Sequence, residues 1–128
     1  MHITLENDRW VLPFEMTITG KGGHGAMPNN AIDPTVAWAA VLQEMSRAAA
    51  EHDVALNFLR IDTGTKFNII PEEVACRGSI AVADRQSPRA CVEALRLIAQ
   101  TTAAAFRCES VIELRQTVQK GDSNGRQN

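Results

Sequence analysis

The sequence lacks a surplus of charge of either sign, because 13 lysines and arginines stand against 15 aspartates and glutamates, for a net charge of −2. Such a chain presents no positive field to nucleic acid or to an anionic membrane, so neither is expected as a partner. No run approaches the roughly 18 apolar residues of a membrane span. Residues 1–9 are too polar for the apolar part of a secretory signal. These absences predict a soluble, cytoplasmic, single-domain protein.

Clustered metal ligands are absent as well. The three cysteines are widely spaced and form no C-x-x-C pair, which excludes a zinc knuckle or a disulfide framework and favours buried thiols. The histidines are equally scattered, and no H-x-D segment occurs. Zinc catalysis needs about three protein ligands, so we predict no metal site in this chain. The residues concerned are Cys76, Cys91, Cys108, His2, His24 and His52.

A glycine-rich stretch, "ITGKGGHGAMP" at residues 18–28, raises the first functional question. Its glycines match G-x-G-x-x-G, but a phosphate loop must lead directly into a helix N-terminus. Here residues 27–32 still intervene before the helix start predicted at Asp33-Pro34, and no G-x-x-x-x-G-K-[ST] motif is present. The stretch is therefore interpreted as a bent turn that displays His24. The alternative is a surface histidine without a role.

Hydrophobic periodicity divides the rest of the chain into strands and helices. Period-two alternation predicts strands, and N-cap-like residues followed by proline predict helix starts. The second helix is expected to bury a stripe formed by Cys91, Ala94, Leu95, Ile98, Thr101 and Ala105. The predicted elements are a strand at 12–19, a helix at 34–51, strands at 53–63 and 74–83, a helix from Ser87-Pro88, and a strand at 108–118.

This order, strand-helix-strand-strand-helix-strand, predicts an α+β ferredoxin-like fold. We expect a two-layer sandwich whose four-stranded antiparallel sheet carries both helices on one face. The domain is predicted to span residues 10–118. The polar residues 119–128 are predicted to be a disordered tail.

The second predicted strand lies at a sheet edge in this topology and is poorly protected against pairing with another chain. The first helix is apolar all round near Trp38, which is more than one sheet-facing stripe requires. A homodimer through this strand edge and this helix is therefore predicted. The alternative for Trp38 is packing under the loop before the helix. The predicted interface residues are Trp38, Leu56, Phe58, Leu59 and Ile61.

Two stretches together resemble a known family. "GKGGHGAMP" with "DP" downstream, and "FNIIPEE" followed by "GSI", are similar to the dimerisation, or lid, domain of the zinc-dependent aminoacylase and carboxypeptidase superfamily. The motif "GGHGAMP…AIDP" is most similar to the amidohydrolase branch of this superfamily, which includes hippurate hydrolases and indole-acetyl-amino-acid hydrolases. In such enzymes the lid is inserted into a two-zinc catalytic domain and pairs with a second lid.

The resemblance implies roles for particular residues. His24 would enter the partner subunit's active site and stabilise the oxyanion formed during cleavage of an N-acyl amino acid or peptide. Asn68, with Gly64 and Thr65, would bind the substrate, although Asn68 alone could equally be a turn residue. Ala81 stands where the family often has a carboxylate-binding arginine. Zinc is expected in a catalytic domain outside this segment, so the isolated chain is predicted to be inactive.

Two other functions stay open on the residues alone. The chain could be a stand-alone dimerisation and protein-interaction module without catalysis, which Ala81 would suit. It could also be a ferredoxin-like regulatory domain that binds a small molecule, such as an amino acid, at the dimer edge.

Overall fold

The computed structural model describes residues 4–6, 8–24, 31–64, 69–84 and 87–114. These residues contain two helices and seven strands. The predicted tail at 119–128 lies outside them. In chain order the elements are β1 (Thr4–Glu6), β2 (Arg9–Thr19), β3 (Gly23–His24), α1 (Pro34–Glu51), β4 (Ala55–Asp62), β5 (Ile69–Ile70), β6 (Glu73–Val82), α2 (Ser87–Ala105) and β7 (Glu109–Leu114).

The main sheet places its four long strands in the antiparallel order β7-β2-β6-β4. That is the strand order of the split βαβ plan, so the predicted α+β ferredoxin-like architecture is confirmed. Strand β1 pairs with the first residues of β2. Strands β1, β3 and β5 were not predicted, because elements of two or three residues carry no measurable periodicity.

The core lies between the sheet and both helices. In β2 the predicted alternation is confirmed, since Leu12, Phe14, Met16 and Ile18 are buried and the intervening residues are not. The stripe predicted for α2 is partly wrong. Ala94, Thr101 and Ala105 are exposed, because the face that the helix buries lies beside the predicted stripe and shares only Leu95 with it. The residues that α2 buries are Pro88, Val92, Leu95, Ala99 and Ala103.

Helix α1 begins where its sequence predicts. Asp33 has extended backbone angles, and its carboxylate accepts a hydrogen bond of 2.9 Å from the backbone N–H of Thr35. Pro34 follows at the first helical position, where no backbone N–H is needed. This cap fixes where the loop before α1 must end.

Strand β4 lies at the edge of the sheet and pairs with β6 on one side. Its register shifts between Phe58 and Arg60, so Leu59 is an extra residue in a β-bulge. Beyond the bulge, Ile61 stands opposite Cys76 and so lies on the core side of the sheet. The bulge leaves Leu59 80% exposed, the highest value among the large apolar residues of the described part of the chain.

Candidate functional site

Two loops that are distant in sequence meet at one end of the sheet. Strands β3 and β5 form a separate two-stranded sheet in which Gly23 pairs with Ile70 and His24 pairs with Ile69. The backbone of His24 therefore lies opposite the residue that follows Asn68. The side chain of His24, together with Thr65 and Asn68, lies outside what the structure describes.

The loop that carries His24 is closed at its base. Lys21 and Ile32 form an antiparallel bridge in which each backbone N–H donates to the other residue's carbonyl over 2.8 Å. The N–H of Gly20 donates to the carbonyl of Glu72 over 2.9 Å, which ties the loop base to the start of β6. These bonds separate segment 22–31 from helix α1, so the glycines do not lead into a helix N-terminus. This agrees with the exclusion of a phosphate loop from the sequence.

Gly20 allows a close approach of two backbones at this base. A Cβ atom at Gly20 would lie 2.3 Å from the carbonyl oxygen of Ile32, far inside van der Waals contact. By contrast, a Cβ at Gly64 would meet the Cβ of Pro71 at 3.4 Å, an ordinary contact. The two glycines therefore have different structural requirements.

We expect Gly20→Ala to lower the free energy of unfolding by about 1 to 3 kcal/mol, because the added methyl forces the Lys21–Ile32 bridge apart. Gly64→Ala is the matched control and should leave stability unchanged or raise it by up to about 1 kcal/mol, through the lower entropy of the unfolded chain. Urea unfolding followed by circular dichroism measures both. Equal effects of the two substitutions would contradict the assigned role of Gly20.

Gly64 belongs to the same end of the molecule. Its Cβ position lies 3.8 Å from the carbonyl oxygen of Ile69, so the two ends of segment 65–68 are close together. The structure thus brings Gly64 and the backbone of His24 to β5. Ile69, 42% exposed, is a further residue at this site to which the sequence assigned no role, although it stands in the quoted "FNIIPEE".

The predicted interface residues divide into two groups. Trp38 packs edge-to-face on Phe58 at 6.4 Å, and Phe58 packs on Phe14 at 5.9 Å, so these aromatic rings join α1 and β4 within the chain. Leu56 is also partly buried against the core. Leu59 and Ile61 are exposed on the β4 edge, and Val36 is exposed on α1. An apolar surface on the strand edge and helix therefore remains.

Cys76 is a buried thiol, as the sequence predicted. Burial raises its pKa, and the Trp38 indole and the backbone of Met16 oppose this shift only in part. Cys108 is also buried, whereas Cys91 is half-buried. Because its pKa is raised, the Cys76 thiol stays protonated to higher pH in the folded state than in the unfolded chain.

The free energy of unfolding should fall as pH rises above about 8.5, the usual pKa of a thiol in an unfolded chain. In that range the unfolded state binds fewer protons than the folded state, so alkaline pH favours unfolding. Burial also raises the pKa of Cys91 and Cys108, so these thiols add to the slope, whereas tyrosine is absent from the sequence. Urea titrations between about pH 7 and 10 measure this dependence. Cys76→Ala should lower the free energy of unfolding at every pH, but it should also reduce the fall of that free energy with rising pH. An unchanged slope would show that this thiol does not contribute.

A cavity of about 480 Å³ lies at the other end of the sheet, between the end of α1 and the first turns of α2. Its walls are mainly apolar and include Val54, Leu95 and Ile98, with His52 and Asp53 also in the lining. Val82, another wall residue, pairs with Trp10 at the start of β2, whereas the His24 loop follows the end of that strand. The cavity is therefore separate from the His24 site.

The described residues do not form a metal centre. Within ranges 4–6, 8–24, 31–64, 69–84 and 87–114, no group of three His, Cys, Asp or Glu side chains is placed to hold a metal ion. In the same ranges, no helix is both long and apolar enough to cross a bilayer. The resemblance implies zinc only in a catalytic domain outside this segment, so no chemical step of the described residues is assigned to a metal.

Comparison with known proteins gives a consistent result. Residues 11–107 match the family model described as the peptidase dimerisation domain. The chain is 28% identical over 102 residues to an N-acetylcysteine deacetylase of Bacillus subtilis, covering 76% of this chain and 27% of that protein. It is 32% identical over 72 residues to an IAA-amino acid hydrolase of Arabidopsis thaliana, covering 52% of this chain and 16% of that protein.

Solved structures share the fold. A hydantoinase/carbamoylase family amidase from Burkholderia ambifaria superposes with a TM-score of 0.76 at 20% identity, covering 83% of this chain and 27% of that one. A dinuclear metal-binding peptidase from Bacillus subtilis superposes with a TM-score of 0.66 at 22% identity, covering 83% of this chain and 25% of that one. The chain thus spans less than a third of the length of each of these proteins.

Proposed function

The chain belongs to the peptidase dimerisation domain family, and from that membership we propose that it is the lid and dimerisation domain of a zinc-dependent hydrolase of N-acyl amino acids or peptides. The names of the relatives support this substrate class, since they include deacetylases and a hydrolase of amino acid conjugates. The metal-bearing catalytic centre would be formed by residues outside the described ones. The three free cysteines suit a reducing, cytoplasmic setting.

The observation that carries this proposal is the pairing of His24 with Ile69. Hydrolysis of an amide places negative charge on the carbonyl oxygen, and a donor already aimed at that oxygen is worth about 3 to 4 kcal/mol. Such a donor must be held in place before the reaction. The closed loop base at Lys21–Ile32 and the pairing with β5 supply this restraint. His24 is the proposed donor, acting in the partner subunit's active site.

The segment from Gly64 to Asn68 is proposed to bind the substrate beside His24. Gly64 lies against Ile69, and Ile69 pairs with His24, so the segment starts and ends next to the proposed donor. Thr65 and Asn68 lie between these two points in sequence. Ala81 lies on β6 opposite Val11, far from this end, so a substrate carboxylate would be held by other residues.

The proposed dimer joins two copies through the β4 edge and helix α1, with the β4 strands antiparallel in a continuous sheet. Exposed Leu59 and Ile61 on the edge and exposed Val36 on the helix support this surface. Unpaired edge strands with apolar side chains favour pairing with a second chain. Phe58 is unsuitable for testing the interface, because its ring packs against the core and a substitution would also disturb that packing.

We expect Leu59→Lys to weaken the dimer at least tenfold, because the substitution places a charge in an apolar interface while Leu59 makes little contact with its own core. Leu97→Lys is the matched control, since Leu97 is an exposed leucine on α2 and lies outside the proposed interface. Sedimentation equilibrium at micromolar concentration measures both variants. A wild-type chain that stays monomeric would contradict the dimer, and equal weakening by both substitutions would place the interface elsewhere.

A further inference from the structure

Ile69 combines two properties that the proposed function does not explain. It is 42% exposed, although it lies in a strand, whereas the adjacent Ile70 is largely covered. It also stands directly opposite His24 in the β3–β5 pair. An exposed isoleucine alone needs no explanation, since much of any protein surface is apolar. Its register position beside the proposed oxyanion donor is the informative observation.

Two other segments approach the backbone of Ile69 and Ile70 closely. A Cβ at Gly22 would lie 3.0 Å from the carbonyl oxygen of Ile70, and the Cβ position of Gly64 is 3.8 Å from the carbonyl oxygen of Ile69. Two neighbouring segments thus pack closely against β5. The exposed side chain of Ile69 is consequently presented from a fixed backbone rather than from a free loop.

Directly opposite residues in an antiparallel pair share a face of the sheet, with Cβ atoms about 5 Å apart. Ile69 and the backbone of His24 are such direct partners in the register of the β3–β5 sheet. A substrate whose carbonyl oxygen accepts a hydrogen bond from His24 would bring the groups attached to that carbonyl close to Ile69. Isoleucine can offer such a group only an apolar contact.

We propose that Ile69 is a specificity-determining residue that contacts the acyl chain of the substrate. This inference rests on the proposed role of His24. The acyl chain is favoured over the amino acid side chain by connectivity, because its first carbon is bonded to the scissile carbonyl carbon, whereas the amino acid side chain begins three bonds away. Acetyl has only that first carbon, whereas longer acyl groups add carbons two and three bonds from the carbonyl carbon. An apolar contact with these added carbons distinguishes longer acyl groups from acetyl.

The test compares two substrates in the enzyme that contains this chain, N-acetylmethionine and N-butyrylmethionine. Ile69→Ala should lower the ratio of kcat/KM for butyryl over acetyl by about tenfold, because a lost apolar contact of this size gives a discrimination of that order. Ile69→Val should lower the ratio less. Leu97→Ala removes an apolar side chain from α2 that is 64% exposed, against 42% for Ile69, and should leave the ratio unchanged. Circular dichroism confirms that each variant is folded.

His24→Ala, measured in parallel, separates this inference from the function on which it rests. If His24→Ala lowers kcat strongly but the Ile69 variants keep the wild-type ratio, the role of Ile69 is wrong and the proposed function stands. If His24→Ala leaves kcat unchanged, both are wrong. The inference is supported if the ratio of kcat/KM for butyryl over acetyl falls most in Ile69→Ala and less in Ile69→Val, and stays unchanged in Leu97→Ala.

Discussion

Replacement of His24 by alanine in the enzyme that contains this chain is expected to lower kcat by about a hundredfold or more, with a smaller effect on KM. The reason is that a donor to the carbonyl oxygen acts mainly when negative charge develops there, so its removal raises the barrier more than it weakens substrate binding. Steady-state kinetics with an N-acyl amino acid measures both parameters. A rise in KM with unchanged kcat would instead make His24 a substrate-binding residue.

Mixed dimers determine whether His24 acts across the subunit interface. The His24→Ala enzyme is combined with a second inactive variant that lacks a residue of the catalytic centre, and subunits are allowed to exchange. Random exchange makes about half of the dimers mixed, each with one complete site of two, so recovery of up to about a quarter of wild-type activity is expected. If exchange is verified and the mixture stays inactive, His24 serves its own chain or has no catalytic role.

Phe14→Ala is expected to lower the free energy of unfolding by about 3 to 5 kcal/mol. Phe14 is 1% exposed, and its ring meets that of Phe58 edge-to-face. It also fills the space left by the absent side chain of Gly78, since a Cβ there would lie 3.0 Å from the ring. Alanine would leave a cavity between the sheet and α1, which the aromatic packing could close only in part.

Phe106→Ala is the matched control for this experiment. Phe106 is 39% exposed just after α2, so its truncation removes less buried surface and should cost under about half as much. Chemical denaturation with both variants gives the two free energies. A loss for Phe14→Ala no larger than that for Phe106→Ala would contradict the placement of Phe14 at the centre of the core.

The main elements of the fold could be predicted from sequence because their signals are local. The alternation in β2 and the Asp33-Pro34 start of α1 depend on residues close together in the chain, and both are confirmed. The bulge at Leu59 was missed, because it shows only in the register of β4 against β6. The stripe of α2 was partly wrong, because Ala99 and Ala103 are buried although their small side chains give only a weak hydrophobic signal in the sequence.

The candidate site was only partly accessible to sequence reasoning. The stretches around His24 and Asn68 were recognised as motifs, but nothing in either stretch indicates that His24 and Ile69 pair. That pair is formed by two very short strands, and it depends on the end of β2 and the start of β6 lying side by side. Contacts between distant segments of this kind emerge only from the assembled sheet.

The bridge between Lys21 and Ile32 has a consequence for how this site can diversify. Because the bridge fixes both ends of segment 22–31, changes of length inside the segment leave the start of α1 and the end of β2 where they are. Closing a flexible loop of twice the length costs only about 0.6 kcal/mol more. Insertions or deletions in this segment can therefore reshape the surface around His24 over evolutionary time with little penalty to the stability of the sheet and helices.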